Sequence, residues 1–167
     1  MRRIAPLAAL ALTVAFTGCG KKDAAPATAP ATTAPATTAP AAGAPVTAIE
    51  ITGNDALQFN TTAFTVAAGS NVTITFKNVG TQPKETMGHN FVILKPGTDV
   101  AAFAATAMQA TDNNYVPRGD ASVVAFTKVL GPGETEALTA PSTPGQYPFI
   151  CSFPGHSGTM KGIMTVQ

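Results

Sequence analysis

Cys151, His156 and Met160 fall within ten residues, in Cys-Ser-Phe-Pro-Gly-His-Ser-Gly-Thr-Met, and the other of the chain's two histidines lies far upstream in Met87-Gly88-His89-Asn90. One loop can carry the first three. His89 reaches them only if a long-range fold brings it there, so the chain needs an architecture that holds a loop and a distant segment against each other. A thiolate, two neutral imidazoles and a thioether suit copper that alternates between its two common oxidation states. Soft sulfur favours the cuprous ion and imidazole accepts both, so the charge can change with little ligand movement.

Other readings of the same residues are weaker by count. A structural zinc site takes four Cys/His ligands. The chain has two cysteines and two histidines, with Cys19 in the N-terminal segment, and methionine is a poor zinc ligand. A Cys–His nucleophilic pair would leave Met160 without a role and has no evident orienting residue. A buried cysteine with two unrelated surface histidines would require four uncommon residues to meet by chance.

From Thr47 onward the hydrophobic pattern is that of strands. Val72, Ile74 and Phe76 alternate with polar neighbours, as in a half-buried strand. Similar runs are predicted over residues 48–52, 64–67, 89–94, 122–129, 134–139, 146–151 and 162–166. Gly69, Gly80, Pro96-Gly97, Gly131-Pro132-Gly133 and Pro144-Gly145 punctuate them. The spacing predicts one all-β domain over residues 47–167, an antiparallel sandwich of about eight strands. One segment breaks the period: Val100, Phe103, Ala104, Ala107 and Met108 fall at helical spacing after Thr98-Asp99, which predicts a short helix with an N-cap there.

The N-terminus predicts export. Arg2-Arg3 form a positive n-region and residues 4–16 an apolar stretch too short to span a bilayer, followed by Gly18-Cys19. Phe16-Thr17-Gly18-Cys19 resembles a bacterial lipoprotein cleavage site, with phenylalanine where leucine or valine is usual. On that reading residues 1–19 are a lipoprotein-type export signal and Cys19 becomes the acylated first residue; the alternative is an ordinary cleaved signal with an incidental cysteine. Residues 20–46 are dominated by Ala, Pro and Thr, without an aromatic residue. Such a segment cannot bury enough surface to order itself. Its prolines bias it to an extended tether of roughly 80 Å at full stretch.

The domain from Thr47 carries six Lys/Arg against eight Asp/Glu, a formal charge of −2. It offers neither a basic patch for nucleic acid nor a large acidic face to steer a charged partner, so docking is expected to be mainly apolar.

The sequence Cys151 to Val166, with its Cys-x4-His-x3-Met spacing, resembles the ligand loop and last strand of the azurins, type 1 (blue) copper proteins of the cupredoxin family. The likeness extends to Gly53-Asn54-Asp55-Ala-Leu-Gln-Phe-Asn60, to the segment from Pro83-Lys84 to Asn90, and to the stretch from Tyr115-Val116-Pro117 to Phe126-Thr127-Lys128. The resemblance implies a cupredoxin Greek-key β-sandwich with a short flap helix. It implies one type 1 copper held by His89, Cys151 and His156, with Met160 as the long axial ligand and the Gly88 carbonyl weakly opposite. Asn90 would tie the two ligand segments together, and its backbone N–H, with that of Phe153, would donate to the Cys151 sulfur. Electrons would leave through the His156 edge, inside an apolar patch of Leu57, Met87, Met108 and Pro154 where redox partner proteins dock. With Cys19 acylated, the protein would be a periplasmic or extracytoplasmic carrier tethered to a membrane, as in auracyanin.

Three departures stand out. Thr47 and Ser70 occupy the positions of the azurin disulfide, Phe91 replaces the tryptophan of the azurin His-Asn-Trp pattern, and Asn78 stands where many azurins carry a titrating histidine. Two further functions compete with an electron carrier. A copper enzyme of the nitrite reductase or multicopper oxidase type needs more histidine-bound copper, and both histidines are already used; no enzymatic activity is expected. A copper chaperone or storage protein remains the alternative.

Overall fold

The computed structural model describes residues 47–167; the predicted export signal, the linker and Cys19 lie outside the described residues. Nine strands appear among the described residues, in keeping with the expected about eight: β1 (Ala48–Asn54), β2 (Gln58–Phe59), β3 (Ala63–Val66), β4 (Thr73–Asn78), β5 (Val92–Leu94), β6 (Val123–Phe126), β7 (Thr135–Thr139), β8 (Gly145–Ile150) and β9 (Lys161–Val166). Helix α1 (Lys84–Met87) precedes β5, and α2 (Val100–Ala107) with a 3-10 turn at Thr111–Asn113 joins β5 to β6. The strands form two sheets, β2-β1-β4-β7 and β3-β9-β8-β5-β6.

Alternation builds the sandwich. Ile74, Phe76 and Asn78 of β4 are buried, and the residues between them are exposed or half-buried. Side chains from both sheets meet in one core that includes Ile51, Phe76, Phe91, Phe149 and Met164. Phe59, Phe76, Phe91 and Phe149 stack there with ring centroids 5.0–5.9 Å apart. Phe91 is fully buried at the centre of that cluster.

Strands β5 and β8 break the alternation for a reason visible in the sequence, where Phe91-Val92-Ile93-Leu94 is continuously apolar. Both of their faces are covered. Val92, Leu94 and Ile150 point away from the main core, against Phe103 and Ala107 of α2 and Val116. Helix α2 begins as expected, with Asp99 capping the backbone N–H groups of Ala101 and Ala102 at 2.9 and 3.1 Å.

The expected all-antiparallel pairing is corrected in two places. Strand β1 runs parallel to β4, and β3 runs parallel to β9. Both parallel pairs join strands that are not linked by hairpins, so no turn signal marks them. Strand β2 was also missed, because two residues are too few to show a period; it pairs with the end of β1 across a turn in which Asn54 Oδ1 accepts from Ala56 N and Gln58 N.

The sandwich has two poles. At one, Thr47 O accepts from Thr73 N, Ser142 O from Gly69 N and Gln167 O from Ala68 N. At the other, β1 ends beside the ligand segments: a Cβ on Gly53 would lie 3.1 Å from Met160 Cε and 3.4 Å from His89 Cδ2. The seven residues of β1 separate the poles by about 20 Å.

Candidate metal centre

The loop between β8 and β9 is shaped by its own sequence. Phe153-Pro154-Gly155-His156 forms a turn closed by His156 N donating to Phe153 O at 3.0 Å, with Gly155 at φ 82°. Proline before a left-handed glycine is what such a turn selects. One helical turn follows, with Met160 N donating to His156 O at 2.9 Å. That i, i+4 relation puts both side chains on one face. Cys151 N donates to Met160 O at 2.9 Å, so the loop is laced shut at its base, where β8 and β9 pair at Ile150 and Lys161.

His89 arrives from the other side. It follows α1 and Gly88, where a Cβ would run into Val129 and the Lys84 carbonyl, so only glycine lets the segment approach. Paired hydrogen bonds with Leu130, at 3.1 and 2.7 Å, then fix its backbone.

His89, Cys151 and His156 meet in the interior, 0, 0 and 4 % exposed. Their ligand atoms lie within 4.8 Å of one another. His89 Nδ1 to His156 Nδ1 is 3.2 Å, Cys151 Sγ to His156 Nδ1 is 3.6 Å, and Cys151 Sγ to His89 Nδ1 is 4.0 Å. One ion at the usual imidazole and thiolate distances of about 2.0–2.3 Å needs trigonal edges near these lengths, about 3.5–3.7 Å. The donor set fits a cation. Two imidazole nitrogens face each other over a sulfur, and at most one proton can sit between them. Among the described residues, His89 Nε2 is the buried side-chain nitrogen or oxygen that makes no hydrogen bond.

Without a cation the site holds its groups neutral. Burial pushes the Cys151 thiol up to about 12, opposed by the backbone N–H groups of Asn90 and Phe153. Burial, then the neighbouring His89, lowers His156 to about 4. Burial also lowers His89, against the raising effects of the Asn54 backbone and the Asp55 charge. A bound cation reverses this for the thiol, since a coordinating thiol is deprotonated outright.

Asn90 holds the two ligand segments together. Its Oδ1 accepts from Ser152 N at 2.8 Å, and its Nδ2 donates to Ser152 Oγ and to the Asn114 carbonyl, both at 2.8 Å. The expected tie is therefore present, and its partner Ser152, next to Cys151, was missed. So were Asn114 and Tyr115, which contribute backbone carbonyls; an acceptor of that kind leaves no mark on residue type. The Asn113-Asn114 pair is a turn signal that could have pointed to the place. Met160 is fully buried beside His89, and Gly88 is buried next to it. Leu57, Met87 and Pro154 are half-buried and Met108 is 43 % exposed, while Lys128 and Lys161 are solvent-exposed surface charges.

A family profile described as copper binding proteins, plastocyanin/azurin family, matches residues 46–167. Azurin of Pseudomonas denitrificans is 41 % identical over 125 residues, which cover 71 % of this chain and 97 % of that protein. Outer membrane protein H.8 of Neisseria meningitidis is 44 % identical over 120 residues; the match spans 70 % of this chain and 65 % of that longer protein. The crystal structure of dithionite-reduced auracyanin from the photosynthetic bacterium Roseiflexus castenholzii superposes with a TM-score of 0.66 at 40 % identity, covering 74 % of this chain and 99 % of that one. With its His-Cys-His cluster built on this sandwich, the chain belongs to the plastocyanin/azurin family of copper-binding proteins, and its cofactor is one copper ion.

Proposed function

We propose that the protein is a blue copper electron-transfer protein that exchanges one electron at a time between redox partners at the cell envelope. The three ligand atoms at 3.2–4.0 Å, buried in the interior, carry this reading. His89, Cys151 and His156 would hold the copper, with Met160 and the Gly88 carbonyl as weaker donors beside them. Bound copper supplies the one-electron couple. Cys151 gives up its proton on loading, and the Asn90 and Phe153 N–H groups then stabilise the thiolate charge. The Asn90–Ser152 tie keeps the ligands in place as the charge changes. His156, 4 % exposed, is the nearest ligand to the surface and the exit for the electron. Leu57, Met87, Met108 and Pro154 around it form the patch on which partners dock, and a small uncharged contact keeps dissociation fast.

The likeness to an outer membrane protein supports a tethered location. On this reading residues 1–19 direct export, Cys19 carries lipid and residues 20–46 form the tether. The domain starts at the pole away from the ligands, which leaves the docking face clear of the attachment point.

The test is the spectrum of purified, copper-loaded protein. An electron carrier of this type shows an intense visible thiolate-to-copper band when oxidised, and Cys151→Ser abolishes it. A wild-type protein that stays colourless with an oxidant present is a cuprous store or chaperone instead. Retention of the band in Cys151→Ser would remove the thiolate from the site.

A further inference from the structure

Three non-glycine residues have positive φ among the described residues: Leu57 at 57°, Asn114 at 56° and Tyr115 at 57°. Asparagine tolerates this region, but for leucine and tyrosine it is strained. Such conformations persist only where surrounding structure holds them, and they gather at functional sites. Each of these carbonyls accepts a side-chain hydrogen bond from a residue adjacent to one member of the metal site. Asn90, after His89, donates Nδ2 to Asn114 O at 2.8 Å. Ser152, after Cys151, donates Oγ to Tyr115 O at 2.7 Å. Thr159, before Met160, donates Oγ1 to Leu57 O at 3.0 Å.

Chance is a poor account of the pattern. Four side-chain donors among the described residues bond a backbone carbonyl 24 or more residues away: these three, and Asn78 Nδ2 to Leu130 O at 2.9 Å. The fourth also serves the site, since Leu130 O accepts from His89 N. The left-handed residues are themselves anchored outside the ligand segments. Leu57 N donates to Asn54 O at the end of β1, Tyr115 N to Ala110 O after α2, and Asn114 Oδ1 accepts from Val129 N.

We propose that Leu57, Asn114 and Tyr115 are a positioning set, whose left-handed backbone turns three carbonyls onto the neighbours of His89, Cys151 and Met160 and so holds the ligands in a fixed frame. The inference rests on the copper reading above. In that frame the ligand segments do not relax toward the geometry each copper oxidation state would choose. The strain sits in loops outside the ligand segments.

The experiment uses copper-loaded full-length protein and compares wild type with Thr159→Val, Ser152→Ala, Leu57→Val and Leu57→Gly. Thr159→Val and Ser152→Ala remove a donor and leave the left-handed residues in place. Copper affinity, measured by competition with a chelator, falls roughly tenfold in each, the low end of what losing an outer hydrogen bond costs a metal site. The reduction potential shifts, and in the copper-free protein alkylation of Cys151 quickens. Leu57→Val, whose β-branched side chain disfavours positive φ, lowers affinity more than Leu57→Gly, which adopts it freely. Donor variants with wild-type affinity and potential, whatever their melting temperature, overturn the proposal, as does Leu57→Gly losing more affinity than Leu57→Val. If Ser152→Ala does not fold, Thr159→Val, on the exposed part of the loop, decides the question. A wild-type protein without a visible band sinks the copper reading itself; a blue wild type with unaltered variants sinks only the positioning set.

Discussion

Buried neutral imidazoles and a buried neutral thiol make the copper-free protein sensitive to pH in both directions. His156 is lowered from 6.5 to about 4, so on acidification the unfolded chain takes up a proton that the folded site refuses. Stability then falls as pH drops from about 6.5 toward 4, and His89, also lowered, adds in the same direction. Cys151 is raised from 9.0 to about 12, so above pH 9 the unfolded thiol ionises and the folded one does not. Stability falls again as pH rises through that window. Urea midpoints of copper-free protein should therefore peak between about 6.5 and 9; a midpoint unchanged on acidification to pH 4 contradicts the neutral-site account. At the axial position, Met160→Leu should keep copper and raise the reduction potential, because a weak donor to the oxidised ion is lost. An unchanged or lowered potential in a voltammetric titration removes Met160 from the ligand set. At this scale the sequence was most legible where chemistry is rare: the two histidines and Cys151 converge. Ser152, Asn114 and Tyr115 escaped because their part is played by a common hydroxyl and by backbone carbonyls.

Among the elements, alternation revealed most of the strands and the interruption at Val100 revealed α2, since a buried face imposes its period on the chain. Parallel pairing of β1 with β4 and β3 with β9 was hidden. It depends on which distant strands share a sheet, and no local residue records that. The Phe59–Phe76–Phe91–Phe149 cluster forms the aromatic centre of the sandwich. Phe91→Ala leaves a cavity at its centre and should destabilise the domain by about 3–5 kcal/mol, read as a lower denaturant midpoint at constant slope. A loss under about 1 kcal/mol would mean that neighbouring rings collapse into the gap. The α2 cap is a smaller matter: Asp99→Ala should cost about 1 kcal/mol and leave the visible spectrum alone.

For the whole molecule, the ligand segments lie at one pole of the sandwich and the domain begins at the other. If partners dock at the His156 pole, Met87→Lys should slow electron exchange with a redox partner and spare the spectrum; wild-type exchange rates in that variant would place docking on another face. If Cys19 carries lipid, wild-type protein should fractionate with membranes and Cys19→Ala should escape lipoprotein processing, whereas a freely soluble mature protein starting elsewhere removes the tether. The claim on which all of this depends is that one copper, bound through Cys151, cycles by one electron inside a frame that does not rearrange. Spectroelectrochemical titration of the copper-loaded protein tests it most directly. The account predicts an intense visible band that bleaches on uptake of one electron per protein and returns in full on reoxidation, cycle after cycle; an oxidised, copper-loaded protein with no such band, or one whose colour does not return, contradicts it.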